Sequence, residues 1–483
     1  MKIYLLNPPY FPHFIRSARW QDTGRGGTLY YPIWLSYAAG LLEKYNHDVR
    51  LVDAPAFNWD RSRIIQDVEK FKPDLIVIDS SFPSLNNDME VAQSIRSIYH
   101  GLVVMVGPPC SLFSEDILRK CTSIDITCRY EYEYTLVEIA ESISSGQSLN
   151  DIAGICYRSD DKLICNQNRP WTTGEQLDEM PFVSKVYKKH LNVKDYFLGS
   201  SLYPEVQIFT GRGCPFMCTF CSWPETLMGR KHRARSTESV IEELKWIEVN
   251  LTGVKEVFFE DDTFTVNQKR VLAFCEAYRR AGLSITWACN ARATLDLSTM
   301  REMRKAGCRL VIVGYESGDQ DILRNIKKGI TVEDAQSFAR NARMAGLLVH
   351  GDFVIGLPGE TKETIISTKA LIGELKPDLL QVSVATPFPG TEFYRWAKEN
   401  GYLLTSDPNE YLDKAGHQRA VISYPWLSEK EIVQNVDIIL RGYYLSLSYV
   451  PIAMRQVFRK NGLSELKRII YSARMFLAYS NAR

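Results

Sequence analysis

The sequence predicts an α/β protein in three parts: a parallel, doubly wound sheet over residues 1–145, a partial (βα)6 barrel over 206–400, and a mostly helical region over 401–483. Three observations lead to this. Apolar runs alternate with amphipathic segments through the first 145 residues, strand and helix patterns recur six times between Glu205 and Glu399, and apolar residues return at helical spacing beyond Pro451. At 483 residues the chain is long enough for each part to bury a core of its own.

In the first part, strands are expected at 3–7, 49–53, 75–80, 103–107 and 124–128, separated by helical patterns at 35–45, 62–71, 89–98, 115–120 and 134–143. Open α/β sheets bind ligands beyond the carboxyl ends of their strands. Asn7, Pro8, Asp53, Ser80 and Gly107 stand at four of those ends, and Glu131 follows the fifth, so these six are the candidate ligand-facing residues. Residues 146–205 read as a connecting segment. Ile155 to Cys165 forms a hairpin with a polar turn at Ser159, Asp160 and Asp161, followed by a link through Pro170 and Pro181, and no chemistry is assigned to it.

In the second part, strands are expected at 206–210, 257–260, 286–290, 310–315, 349–355 and 379–385. Barrel chemistry collects at the carboxyl ends of such strands. Directly after the first comes Gly211-Arg-Gly-Cys-Pro-Phe-Met-Cys-Thr-Phe-Cys-Ser-Trp223, in which Cys214, Cys218 and Cys221 are spaced C-x3-C-x2-C. Four thiolates close a metal site, whereas three leave a cluster one open iron that can bind a reactant. The competing reading is a zinc site completed by His232. The other eight cysteines (Cys110, Cys121, Cys128, Cys156, Cys165, Cys275, Cys289 and Cys308) lack ligand spacing and are expected to be buried free thiols, a pattern that suits a reducing cytoplasm.

Composition excludes little else. Lys and Arg number 58 against 57 Asp and Glu, so no overall field favours nucleic acid, and no nucleic-acid partner is expected. The opening Met1-Lys-Ile-Tyr-Leu-Leu-Asn-Pro-Pro9 is too short an apolar run for a signal peptide, and no stretch reaches the roughly 18 to 20 uninterrupted apolar residues of a membrane span. A cytoplasmic location is expected.

The cysteine loop resembles that of the radical S-adenosylmethionine (radical SAM) superfamily. The resemblance implies a 4Fe–4S cluster on Cys214, Cys218 and Cys221, S-adenosylmethionine chelated by the free iron, and reductive cleavage to a 5′-deoxyadenosyl radical with electrons from a flavodoxin or ferredoxin. It also implies roles at the later strand ends. In Phe258-Phe-Glu-Asp-Asp-Thr-Phe264, Asp261 and Asp262 suit the methionyl ammonium, and the Arg292 fork suits the carboxylate. In Gly314-Tyr-Glu-Ser-Gly318, Glu316 suits the ribose hydroxyls and Ser317 the carboxylate. Gly356 and Gly359, in Gly351-Asp-Phe-Val-Ile-Gly-Leu-Pro-Gly-Glu360, offer close backbone approach to adenine.

A sheet placed before such a barrel resembles the Rossmann-like, cobalamin-binding domain of the cobalamin-dependent members. No Asp-x-His-x-x-Gly signature occurs, so any cobalamin is expected without a protein histidine as lower axial ligand. Methylthiotransferases also precede this core with an α/β domain but build a second cluster from cysteines at strand ends, and here Asn7 stands where the first would be.

Over nearly its whole length the chain is similar to the hopanoid-biosynthesis-associated radical SAM proteins of the HpnJ type. The similarity rests on Tyr31-Pro-Ile-Trp-Leu-Ser-Tyr-Ala-Ala-Gly40, on the stretches at 218–227, 307–319, 325–329 and 349–361, and on Gly416-His-Gln418. It implies contraction of a lipid-linked amino sugar to a cyclitol. A cobalamin-dependent C-methyltransferase uses the same motifs and is the alternative, and a non-catalytic binding protein is the third reading. From Pro451 onward seven Lys and Arg face the single acid Glu465 at helical spacing. Such a helix lies either peripherally on the inner membrane or packed on the barrel.

Overall fold

The computed structural model describes residues 1–159, 162–459 and 461–481. Its first five strands, β1 (Lys2–Asn7), β2 (Asp48–Asp53), β3 (Leu75–Asp79), β4 (Leu102–Val106) and β5 (Ile126–Cys128), pair in parallel in the order 2-1-3-4-5. All five residues of β3 are buried, as a continuous apolar run requires when helices cover both faces of a sheet. The order reverses between β1 and β3, so the ligand crevice of this sheet lies beyond Asn7 and Asp79.

The sheet does not stop at residue 145. The expected hairpin forms as β6 (Ile155–Ser159) and β7 (Lys162–Cys165), and β6 pairs antiparallel with β5, making seven strands. Asp160 and Asp161 of its turn lie outside the described residues. Register sets Cys156 opposite Cys165 with their Cα atoms 4.1 Å apart, and the two form a disulfide. This corrects the expectation of eight free thiols: partners directly opposite on antiparallel strands put both side chains on one face. The remaining six, Cys110, Cys121, Cys128, Cys275, Cys289 and Cys308, are free and buried.

The barrel strands are β8 (Glu205–Ile208), β11 (Glu256–Phe259), β12 (Thr286–Ala291), β13 (Cys308–Glu316), β14 (Leu348–Ile355) and β15 (Leu379–Val384), all parallel in that order. A two-residue ribbon, β9 (Gly211–Arg212) with β10 (Arg233–Ala234), sits above β8. Alternation along each strand decides which residues face inward. Phe258, Ala288, Leu310, Leu348 and Leu379 form one small apolar cluster with Leu198, the floor of the barrel interior. Residues two and four positions further along the strands therefore share the interior above that floor.

Helix α1 (Ile33–Lys44) joins the two parts. Ten of its twelve residues are buried, and Trp34 packs at 6.1 Å from Trp223 while the Tyr37 hydroxyl accepts from the Phe209 N–H at 3.0 Å. One apolar core consequently runs from the sheet to the barrel.

Six strands leave the barrel open between β8 and β15. Helix α2 (Glu429–Tyr444) packs on β15, and α3 (Tyr449–Val457) and α4 (Gly462–Asn481) follow. Of the two expectations for the basic tail, the structure shows packing on the barrel. Glu465 is buried between Arg309, at 2.7 Å, and Arg468, at 2.9 Å, and Arg309 also holds both oxygens of Glu256 at 2.7 Å. Tyr471 packs edge-on against Phe197, and Phe476 against Tyr444. Among the described residues no helix is long and apolar enough to cross a membrane.

Arg309→Ala would leave Glu256 and Glu465 buried without their shared cation, so the folded state should lose about 3 to 5 kcal/mol in urea titrations. An unchanged midpoint would show that the tail is not anchored there.

Candidate functional site

The cysteine loop leaves β8 through Gly213, whose φ is +87° and whose Cβ would lie 2.2 Å from the Lys231 carbonyl oxygen, so only glycine fits. The loop is tied down by Cys214 N–H to Gly229 O at 3.2 Å, Thr219 N–H to Ile326 O at 3.0 Å, and Arg230 to Phe216 O at 2.5 Å. Cys214, Cys218 and Cys221 are half-buried and line one cavity of about 900 Å³, unlike the six buried thiols elsewhere. Burial, and then the nearby Asp262 charge, pushes the Cys214 and Cys221 thiols up. A coordinated cation is what would turn them into thiolates.

His232, the residue of the zinc reading, does not line the cavity that the three cysteines share. A cube held at three corners needs its thiols spread over three irons.

The three acids after β11 separate by parity. Glu260 and Asp262 face the interior, where the Arg19 guanidinium meets Glu260 at 2.8 Å and Asp262 at 3.4 Å while stacking 4.1 Å from the Trp223 ring. Asp262 Oδ2 is buried without a partner. Burial pushes Glu260 up to about 7. Asp261 points the other way, and its two oxygens accept from the Thr210 N–H and hydroxyl, each at 2.6 Å. Asp261 is therefore structural, a correction to its expected place beside Asp262.

Arg292 lines the cavity 3.7 Å above the Phe216 ring and donates to Lys328 O. Glu316 lines it too, at φ +66°, paired with Lys328 Nζ at 2.5 Å. Ser317 does not line it: its hydroxyl meets Thr368 at 3.2 Å and accepts from Asp319 N–H at 3.2 Å, because the next residue in register turns outward. Gly356 and Gly359 do not line it either. Their positive φ serves a turn packed under Ile432 and Asn325, and the Gly356 carbonyl accepts from Tyr424 at 2.8 Å.

The carboxyl edge of the first sheet does gather its predicted residues, but into a closed network. Arg16 donates to Asn7 at 2.9 Å, Pro8 O at 2.7 Å and Asp88 at 2.8 Å. Asn7 donates to Asp53 at 2.8 Å, and Ser80 donates to Asp88 at 2.9 Å. Gly107 packs directly on the Ser80 carbonyl, and Glu131 is held by Arg233 at 2.7 Å. None of the six lines the cavity. The edge nevertheless keeps polar groups in reserve. Tyr132 OH and Ser17 Oγ are buried without partners, and burial pushes Asp79 up to about 7.

Comparison with known proteins agrees with this architecture. Residues 208–372 match the Radical SAM superfamily and residues 23–140 the B12 binding domain. The chain is 31% identical over 484 residues, 98% of its length and 99% of the relative's, to the uncharacterized methyltransferase PH0819 of Pyrococcus horikoshii. It is 26% identical to the anaerobic magnesium-protoporphyrin IX monomethyl ester cyclase of Cereibacter sphaeroides, over 82% of this chain and 68% of that protein. It is 24% identical to the hopanoid C-3 methylase of Methylococcus capsulatus, over 78% and 70%. Among solved structures, the radical S-adenosylmethionine methyltransferase TsrM of Kitasatospora setae, with cobalamin and a [4Fe-4S] cluster bound, superposes with a TM-score of 0.72 at 16% identity, over 99% of both chains. The chain belongs to the radical SAM proteins that carry an amino-terminal B12-binding domain, the family of PH0819. It is a radical SAM enzyme, a class that works with a 4Fe–4S cluster and S-adenosylmethionine, and the open cysteine loop and the unpartnered Asp262 oxygen fit those two groups.

Sequence reasoning missed Arg16, Arg19 and Lys328. The first two stand three apart in Phe14-Ile-Arg-Ser-Ala-Arg-Trp20, cations inside an apolar and aromatic stretch, and that was the available signal.

Glu360 gives a pH test of the turn that carries Gly356. It donates nothing and accepts from the Gly356 N–H, its Oε1 has no partner, and burial pushes it from the usual 4.5 up to about 8. The folded state then holds the proton more tightly than the unfolded chain, so this residue's contribution to stability falls as pH rises from about 4.5 towards 8 and is level above that. Glu360→Gln should flatten that part of the slope in thermal unfolding between about pH 5 and pH 8.

Proposed function

We propose that the protein is a cobalamin-dependent radical SAM methyltransferase acting at an unactivated carbon of a small molecule. One observation carries the reading: the three open-loop cysteines line a single large cavity inside the barrel together with Asp262, Arg292 and Glu316. Bound there, the cluster and S-adenosylmethionine would supply radical hydrogen abstraction, and a B12 would supply a carrier for the methyl group.

The chain's own residues supply position and exclusion of water. Asp262 accepts from the methionyl ammonium, which takes over charge now satisfied by Arg19. The Arg292 fork takes the carboxylate, and Glu316 takes the ribose hydroxyls while Lys328 fixes its rotamer. A B12 would sit at the carboxyl edge of the first sheet, where Asn7, Pro8, Asp53, Ser80, Gly107 and Glu131 stand and where Tyr132 OH and Ser17 Oγ have no partner. An external flavodoxin or ferredoxin is the electron source.

Methylation replaces the ring contraction implied by the hopanoid-type similarity. The relative matched along its full length is named a methyltransferase, and the hopanoid-related one is a methylase at 24% identity. Sterol-like or sugar-linked lipids remain among the substrates to be tried.

Anaerobic assays with dithionite, S-adenosylmethionine and hydroxycobalamin, given candidate substrates, should yield 5′-deoxyadenosine, S-adenosylhomocysteine and a product heavier by one methyl group. A product of unchanged mass would restore ring contraction, and an absence of cleavage would remove the enzyme reading. Cys218→Ala should abolish the iron–sulfur absorbance and cleavage together.

Asp262→Ala should weaken S-adenosylmethionine binding by about 1 to 3 kcal/mol with cluster content unchanged. Asp261→Ala should instead lower folding stability by about 1 to 3 kcal/mol, since it strands the Thr210 donors. Equal effects of the two on binding would refute the parity assignment.

A further inference from the structure

Inside the barrel most inward polar groups are already engaged. Glu260 and Asp262 face Arg19, Glu316 holds Lys328, Asn290 donates to Asp261 O at 2.8 Å, and Gln381 donates to Ser383 at 3.2 Å. At the outer end Arg468 is satisfied by Glu465, Gln456 and Gly199 O. Single oxygens of Glu260 and Asp262 stay unpartnered, and so do atoms of two neighbours on β14. His350 Nδ1 and Asp352 Oδ1 are buried with no hydrogen-bond partner, although His350 Nε2 lies 3.4 Å from that same Asp352 oxygen.

Register explains why this pair meets the cavity. His350 and Asp352 continue the inward parity of the floor residue Leu348, and Asp352 has Gly314 on one side and Gln381 on the other. Gly314 leaves room that the Glu316 carboxylate and the Lys328 ammonium fill, and beside them the Asp352 carboxyl lines the cavity with 32% of its side-chain surface accessible. A group seated on Asp352 would therefore lie directly beneath the proposed S-adenosylmethionine site.

The cavity changes character away from the cysteines. It continues past Leu379 and Leu440 and ends between α3 and α4, where Val450, Met454, Leu466 and Leu477 line it. These side chains are also open to the outside, and Phe458 at the same rim is 79% exposed. One continuous space thus joins a buried polar pair to an apolar mouth.

We propose that His350 and Asp352 seat a neutral hydrogen-bonding group of the substrate, a hydroxyl or an amide, and that the substrate is an amphiphile whose apolar body runs out between α3 and α4. The proposal rests on the reading of this cavity as the substrate site of a methyltransferase, and it names the class of molecule that site takes. The charge state of the pair agrees. Burial, and then the Glu316 charge, pushes the Asp352 carboxyl up, and burial with Arg468 nearby pulls His350 down to about 3, so both shifts favour the uncharged forms. A protonated carboxyl donates and an imidazole nitrogen accepts, which together match a hydroxyl or an amide better than an ion.

The test measures binding of 1-decanol, decylamine and decanoate, each below its micelle concentration, to the full chain by isothermal titration calorimetry. Decanol should bind tightest. Asp352→Ala should weaken decanol about tenfold, as loss of one buried hydrogen bond implies, and Asp352→Asn, neutral and of the same shape, should retain affinity within about twofold. Phe458→Glu, an exposed rim change that spares the fold, should weaken it as well. Tightest binding of decylamine, lost in Asp352→Asn, would overturn the proposal by showing a cation seat. Undiminished decanol binding in Asp352→Ala or in Phe458→Glu would overturn it too. Turnover of S-adenosylmethionine is scored separately in reconstituted enzyme, so failure of the methyltransferase reading is distinguishable from failure of this seat.

Discussion

β8 and β15 stand at the two edges of the six-stranded sheet and do not pair, and the open seam between them is the constraint on which the rest of the structure depends. Two exposed strand edges and an uncovered interior are not stable in water. The chain covers them with segments from both of its ends. Residues 15–30 of the loop after β1 form one wall, and α2, α3 and α4 form the other, so the interior becomes a cavity without being filled like a closed barrel core. Coverage by the amino-terminal loop also couples the sheet to the barrel, since that loop leaves the sheet at its ligand edge and arrives at the acids after β11.

The cover is fastened by buried ion pairs at opposite ends of the cavity. Below, Arg309 and Arg468 clasp Glu465 and tie the tail to the strand starts, and above, Arg19 ties the amino-terminal loop to Glu260 and Asp262. Buried pairs of this kind add little net stability over apolar packing, but removing one partner is costly, so they fix where a segment sits more than how tightly. The tail's basic composition is therefore no guide to its surroundings. Its one acid and one of its arginines are interior, while its large apolar side chains Leu463 and Phe458 face outward.

The fold was legible because periodicity is local. Each predicted strand overlaps an observed one, and the C-x3-C-x2-C spacing placed the three cysteines at the cavity without further help. What failed was direction. The resemblance to strand-end motifs implies roles for both Asp261 and Asp262 and for both Glu316 and Ser317, yet side chains alternate, and Asp261 and Ser317 each point away from the neighbour that faces the cavity. Even this was available in principle, since Phe258, Glu260 and Asp262 share a parity. The disulfide and the Arg16 network were not available, because they depend on register between strands and on a long-range return of the chain that composition does not encode.

The distribution of unsatisfied atoms then carries more functional information than the distribution of charge. Cations and anions in this interior nearly all meet one another. Partnerless buried oxygens and nitrogens are costly, typically by 1 to 3 kcal/mol each as an order-of-magnitude estimate, so those of residues that line a cavity are places where a ligand can recover that cost. Among the residues that line the cavity, Asp262, His350 and Asp352 carry such atoms, while others, such as Trp34 Nε1, Glu205 Oε2 and Tyr315 OH, lie in the packed interior away from it. A radical generated near the cysteines must act on a carbon held close by, because an unguided radical attacks whatever it meets. The cavity offers such a place, since it runs from the three cysteines past Asp262, Glu316 and Asp352 to an apolar rim at α3 and α4.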